Sequence, residues 1–208
     1  MAKNKNLIVD YLPFEISREA INESISENDG RLIVKGVLQR ANAKNQNGRI
    51  YPKDTLHREA KKYSQVQVKE RRALGELDHP DSSVVNLNNV SHNVISMDWE
   101  GDDLIGKVEV LSTPSGNILK ELFKSGIKLG ISSRGLGSVE ELGEGDDGAP
   151  TVKVQPDFEL IAFDFVSNPS THGAFLHPVN EGVTHNNNTK QNKYSKLQNI
   201  VTDILSGE

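Results

Sequence analysis

Apolar residues recur along this chain with two different periods, and the periods divide it into strands and helices. Residues 31–41 carry Leu32, Ile33, Val34, Val37 and Leu38, a nearly continuous apolar run that suits a buried strand. A loop rich in Asn and Gly follows over 42–51. Pro52 and Asp54 then open a helix with Leu56, Ala60 and Tyr63 on one stripe. Residues 94–99 and 104–111 read as a hairpin joined by the turn-forming Glu100-Gly101-Asp102-Asp103. Thr113 and Pro114 cap a second helix whose apolar face is Ile118, Leu119, Leu122 and Phe123, and Gly126 ends it. Three more strands are predicted over 127–134, 151–154 and 158–166, with an acidic, Gly-rich loop at 143–150.

The two ends differ from this body. Residues 1–30 are polar, with a short helix near 17–26, and read as an N-terminal appendage. After Pro178 the Asn186-Asn187-Asn188 stretch reads as a linker. Beyond it Tyr194, Leu197, Ile200, Val201, Ile204 and Leu205 stand at helical spacing, as in an amphipathic C-terminal helix. The pattern therefore predicts a strand-rich α+β domain over 31–178 and a linker with a helix over 179–208.

Composition narrows the function. The 208 residues amount to about one domain with appendages, and the formal charge is −5 with both signs mixed. A nucleic-acid binder needs a concentrated basic face, which this balance argues against. The densest basic group, Lys61, Lys62, Lys69, Arg71 and Arg72, reads as the solvated face of one helix. Without cysteine there is neither a disulfide framework nor a thiol nucleophile nor cysteine-ligated zinc. No apolar run reaches membrane-spanning length and the N-terminus lacks a signal-peptide core, so a cytoplasmic setting without membrane is expected.

The segment Ile127-Lys128-Leu129-Gly130-Ile131-Ser132-Ser133-Arg134-Gly135 holds the sharpest candidate chemistry. Strand alternation sends Ile127, Leu129 and Ile131, with Ser133, to one face, and Lys128, Gly130, Ser132 and Arg134 to the other. With the apolar face in the core, Ser132 is expected to point away from it, accessible and beside a cation. The same pattern also describes the polar outer face of an edge strand. Ser133 becomes the rival nucleophile if a bulge shifts the register.

A nucleophilic serine needs a base. Of the six histidines, His57 is expected on an exposed helix face, His92 starts a strand, and His172, His177 and His185 lie in late loops. His79 in Gly75-Glu76-Leu77-Asp78-His79-Pro80 is best placed to be rigid, because Pro80 restrains the chain after it. Alone, a loop histidine is more often a solvated group. Asp164 interrupts the apolar strand 158–166, and a buried carboxylate there needs a partner. Orienting a histidine would supply one; an arginine pair or a cap at Asn168-Pro169 would do so equally. Glu159 sits nearer the polar start of that strand.

Taken together, Gly-Glu-Leu-Asp-His-Pro at 75–80 and Ser-Ser-Arg-Gly-Leu-Gly-Ser at 132–138 resemble the prohead core proteases of large contractile-tailed phages. Asn-Gln-Asn-Gly-Arg-Ile-Tyr-Pro at 45–52 and Asp-Phe-Val-Ser-Asn-Pro-Ser at 164–170 are similar to flanking blocks of that family, in the same order. The resemblance covers roughly 31–178. It implies a β-barrel-like core wrapped by helices, as in herpesvirus assemblin proteases, and a serine and histidine with a helper residue. Carried over, these are Ser132 and His79, with Asp164 as the helper and Arg134 with the Gly135 amide at the oxyanion. Strand alternation and the resemblance select the same serine.

The resemblance further implies an enzyme of the immature phage head, in the host cytoplasm, that cleaves scaffold or core and major capsid proteins after Glu and often itself. It implies no cofactor and allows a homo-oligomer. Leu or Ile two residues before the Glu marks preferred sites, so Glu23 (before Ser24) and Glu144 (before Gly145) are candidate self-cleavage points. Lys128 is a candidate for the pocket that receives the Glu. Two alternatives stay open: a metal-dependent hydrolase using Glu76, Asp78, His79 and Asp81, and a non-catalytic scaffold component that assembles through the C-terminal helix.

Overall fold

Residues 6–14, 17–45, 47–80, 82–145, 150–167 and 176–178 are described by the structure, a computed structural model. The elements run β1 (Asn6–Phe14), α1 (Arg18–Glu27), β2 (Leu32–Arg40), β3 (Arg49–Ile50) and α2 (Lys53–Tyr63), which widens into a π-type turn over Ser64–Val68. Then follow β4 (Leu74–Glu76), β5 (Val90–Glu100), β6 (Asp103–Val110), α3 (Pro114–Lys124), β7 (Leu129–Gly137), β8 (Val139–Glu144), β9 (Pro150–Val154), β10 (Glu159–Val166) and β11 (Leu176–Pro178).

Local sequence explains the helices. Leu56, Ala60 and Tyr63 are buried on one face of α2, as their spacing predicts. In α3 the Thr113 hydroxyl accepts from Gly116 N at 3.0 Å, satisfying an amide that the helix itself cannot. Its apolar residues Leu119 and Phe123 are buried, whereas Ile118 is exposed.

The strands form three sheets, ordered β1-β7-β10, β11-β2-β6-β5-β4 and β3-β9-β8. None of them closes on itself among the described residues, so in place of the barrel-like core implied by the resemblance there are open sheets with a main apolar core and a smaller one around Ile8, Tyr51 and Phe158. The predicted hairpin is β5–β6, extended by several residues and tied by Gly101 at φ 65°. Short β4 lies on the edge of the five-stranded sheet, and Asp78 N donates to Phe165 O at 2.8 Å. That bond, with the parallel bridge Leu77 to Phe165, joins the five-stranded sheet to β10 of the first.

The N-terminal segment departs most from expectation. Residues 6–14 pair antiparallel with β7 along their whole length, Asn6 opposite Gly137 to Phe14 opposite Leu129. Ile21 of α1 is fully buried in the main core with Phe123, Phe163 and Phe165. This segment is therefore part of the packed body, not an appendage. Pro13 is tolerated because β1 is an edge strand and needs no donor on its outer side. Strand β8, wholly exposed, takes up 139–144 at the start of the predicted acidic loop. The linker and C-terminal helix expected over 179–208 lie outside the described residues.

Candidate functional site

Strand β7 is central, flanked by β1 and β10, so the edge-strand alternative for Ser132 falls. Alternation holds: Leu129 and Ile131 enter the main core, while Ser132 takes the opposite side. That side is not solvent, however. Ser132 and Arg134 are both fully buried, and the accessible hydroxyl expected for Ser132 is absent in this state. The reason lies in what covers the outer face: a buried ionic cluster contributed by β4, β7 and β10.

Arg134 is the centre of that cluster. Its Nε stands 2.8 Å from Asp164 Oδ2 and its Nη2 3.0 Å from Asp164 Oδ1. The same Nη2 donates to Glu76 Oε1 at 3.0 Å, and Nη1 donates to Ser82 O at 2.7 Å. Glu76 N donates to Asp164 Oδ1 at 3.0 Å, and Glu76 Oε1 accepts Asn86 N at 3.0 Å. All three side chains are fully buried. A planar guanidinium fork suits this two-carboxylate arrangement in a way a lysine would not.

The expected histidine joins the cluster. His79 Nδ1 lies 3.2 Å from Asp164 Oδ2, and the ring is mostly buried. Asp164 stands directly opposite Ser132 across the β7–β10 ladder, and opposed residues of an antiparallel pair project from the same face. Asp164 thus stands opposite Ser132 in the ladder and beside the His79 ring, while the Ser132 hydroxyl itself donates to Ser133 O at 3.5 Å. Asp164 has both partners considered for it, the histidine and an arginine. Ahead of the ring, Asp78 adopts φ 68° and its Oδ1 accepts His79 N at 2.9 Å.

Other expectations change. Arg134, expected at the oxyanion, is held here by two carboxylates and a carbonyl. Gly135 faces Ile8 and Leu160 across its two ladders, and a Cβ there would fall 2.4 Å from the Phe158 ring. Its glycine is thus required by packing. Ser133 lies on the core side, where its hydroxyl accepts from Gln39 Nε2 at 2.7 Å. His57 is not on an open face but stacks on Trp99 with centroids 3.9 Å apart. His172 and His185 lie outside the described residues, and of His177 only the backbone in β11 is described.

Among the described residues no three His, Asp or Glu side chains are placed to hold a metal ion. Glu76 is committed to a guanidinium, which would repel a cation, while Asp78 points to its own loop backbone; Asp81 lies outside the described residues. For self-cleavage, Glu23 sits mid-helix in α1. The hydroxyl of its successor Ser24 is buried, donating to Ile33 O at 2.8 Å. Glu144 by contrast ends the exposed strand β8.

Three features of the site were missed. From sequence Glu76 stands out only as a possible metal ligand, whereas here it pairs with Arg134. His92 is completely buried, with Nε2 2.9 Å from Phe163 O and Nδ1 2.9 Å from Ser91 Oγ. Burial pushes it down to about 4, against the opposing pull of Asp164. Gly75 allows this approach, since a Cβ would lie 1.9 Å from Phe163 O and 2.2 Å from His92 Nε2. The third is a second buried polar group on the other side of β7. There Asp10, opposite Ser133, takes Arg49 Nη1 at 3.0 Å, Asn47 Nδ2 at 3.0 Å and the Tyr51 hydroxyl. Burial raises the Asp10 carboxyl and outweighs Arg49, and burial together with Asp10 raises Tyr51.

One buried ionic cluster on an α+β scaffold thus holds an aspartate that lies opposite a serine in the ladder and beside a histidine. The family model described as prohead core protein serine protease matches residues 5–188, and the chain belongs to that family. The match extends the resemblance into the N-terminal segment, in keeping with β1. The chain is 33% identical over 174 residues to the prohead core protein protease of Enterobacteria phage T4, spanning 82% of this chain and 78% of that protein. The fold is similar to the solved structure of the bacteriophage T4 capsid assembly protease, with TM-score 0.66 and 24% identity. The match covers 80% of this chain and 100% of that one.

Proposed function

We propose that this chain is a serine endoprotease with Ser132 as nucleophile, His79 as base and Asp164 as orienting acid. The observation that carries the reading is the 3.2 Å approach of His79 Nδ1 to Asp164 Oδ2, with Asp164 opposite Ser132 in the ladder. With Nδ1 turned to Asp164, Nε2 takes the Ser132 proton as Oγ attacks the scissile carbonyl carbon. The imidazolium then passes that proton to the leaving amine as the C–N bond breaks. Water, deprotonated by the same nitrogen, releases the acyl-enzyme. Asp164 stabilises the imidazolium in each half-reaction.

The substrates proposed are scaffold or core and major capsid proteins of a phage prohead, cut after Glu inside the assembling head in the host cytoplasm. Membership of the family and the likeness to the T4 proteins support this assignment. Self-cleavage is assigned to Glu144–Gly145, because exposed strand ends are where nicking concentrates, whereas Glu23–Ser24 lies in a packed helix. Intact-mass analysis beside a Ser132→Ala control tests it; a cut at Glu23, or none that depends on Ser132, would overturn the assignment.

Reaction with a fluorophosphonate probe and peptide mapping tests the catalytic reading. Labelling at Ser132 that His79→Ala abolishes supports it, and labelling at Ser133 transfers the role to the core-facing serine. The complete burial of Ser132 favours a second reading, a non-catalytic scaffold component. Folded protein that never labels, and prohead processing that survives Ser132→Ala, would establish that one instead.

A further inference from the structure

We infer that Glu76 is a positioning residue of this centre: acting through Arg134, it holds the loop that carries His79 against the strand that carries Ser132. The inference rests on the serine-protease reading above and adds a residue and a role to it.

Between β4 and β5 the described loop residues, 77–80 and 82–89, are anchored to the rest of the site at several points. Two of them run through the Arg134–Glu76 pair. Asn86 N donates to Glu76 Oε1 at 3.0 Å, and Ser82 O accepts Arg134 Nη1 at 2.7 Å. Glu76 is the last residue of β4, so His79 is bracketed by positions 76, 82 and 86. Arg134 lies two residues from Ser132 on the same face of β7. Loop and nucleophile strand are thus clamped to one guanidinium.

The placement of charge points the same way. Two buried carboxylates share one guanidinium, Glu76 and Asp164 both on Nη2. With both ionised, the cluster carries one excess negative charge. For stability alone such a cluster is a poor choice, since buried ionic groups are often replaced by apolar ones without loss. Beside a catalytic histidine it has a use: the excess charge is neutralised as the imidazole takes up the serine proton.

Among the described residues, the charged groups of the cluster beside the ring are Asp164 from β10, Glu76 from β4 and Arg134 from β7, with Asp78 from its own loop. Behind Asp164 stand Tyr63 from α2 and His92 from β5. Burial, reinforced for Tyr63 by the Asp164 charge, keeps both of these uncharged at neutral pH.

The test is the pH dependence of fluorophosphonate labelling at Ser132 in wild type and Glu76→Gln. Glutamine keeps an oxygen for Asn86 N and Arg134 but removes the charge. The expected result is a folded variant whose acid limb moves to lower pH by about one unit, with a plateau rate reduced about tenfold. Superimposable profiles would overturn the inference while leaving the protease reading intact. Absence of labelling in folded, activated wild type would sink both.

Amide hydrogen exchange on the wild type is independent of whether the variant folds. The Asn86 N–H is expected to exchange as slowly as the β4 amides. Exchange at the rate of an open loop would overturn the clamp.

Discussion

Ser132 and Asp164 face each other across the β7–β10 ladder, and His79 Nδ1 stands 3.2 Å from the Asp164 carboxylate. In the proposed mechanism the aspartate sets which imidazole nitrogen carries the hydrogen, so an amide in its place would present the wrong tautomer to the serine. Asp164→Asn is expected to reduce fluorophosphonate labelling of Ser132 by ~10³-fold or more. Labelling within a few-fold of wild type would remove Asp164 from the centre.

Arg134 leaves two carboxylates buried without a counter-charge if it is truncated. Breaking a buried pair in this way costs about 3–5 kcal/mol. Arg134→Met is expected to lose that much in urea denaturation, and Arg134→Lys to recover only part, because a point charge cannot bridge Asp164 and Glu76 together. Full recovery by lysine would show that charge alone, not the fork, is what the cluster needs.

His92 is held down to about 4 by burial, below its ordinary 6.5. A group depressed on folding contributes stability that is complete above the ordinary value and is lost as pH falls towards the folded one. Over that interval the loss from this one residue is ~3 kcal/mol. Thermal melts should therefore fall between pH 6.5 and 4, and His92→Asn, less stable at neutral pH, should flatten that slope. An unchanged slope in the variant would move the acid sensitivity elsewhere.

Asp10 has the opposite sign. Burial raises its carboxyl above the ordinary 3.8 despite Arg49, so its contribution is complete below that value and declines as pH rises through the folded one. Relative to wild type, Asp10→Asn is expected to gain stability on going from about pH 4 to about pH 7. Melting temperatures of both proteins at the two pH values measure this, and a difference that does not grow with pH contradicts it.

Much of this protein was legible in the order of its residues. The stripe Leu56, Ala60, Tyr63, the Thr113 cap and the β5–β6 hairpin are local patterns, settled within one or two turns of chain. As candidates Ser132, His79 and Asp164 were also legible: strand alternation picks out the serine, Pro80 favours the histidine before it, and Asp164 interrupts an apolar strand. What the partners are was decided by the tertiary structure. Arg134 is 58 residues from Glu76 and 30 from Asp164 along the chain, and no periodicity reports that their charges meet.

The same holds for β1. Leu7, Ile8 and Val9 are strand-forming, but Asp10 and Pro13 interrupt the run. Their tolerance depends on Arg49 and Tyr51 on one side and on an open sheet edge on the other. The burial of Ser132 likewise follows from β4 and its loop closing over β7. Local spacing selects elements and candidate side chains; whether a charge is paired or a hydroxyl is covered depends on which distant segments the folded chain brings into contact.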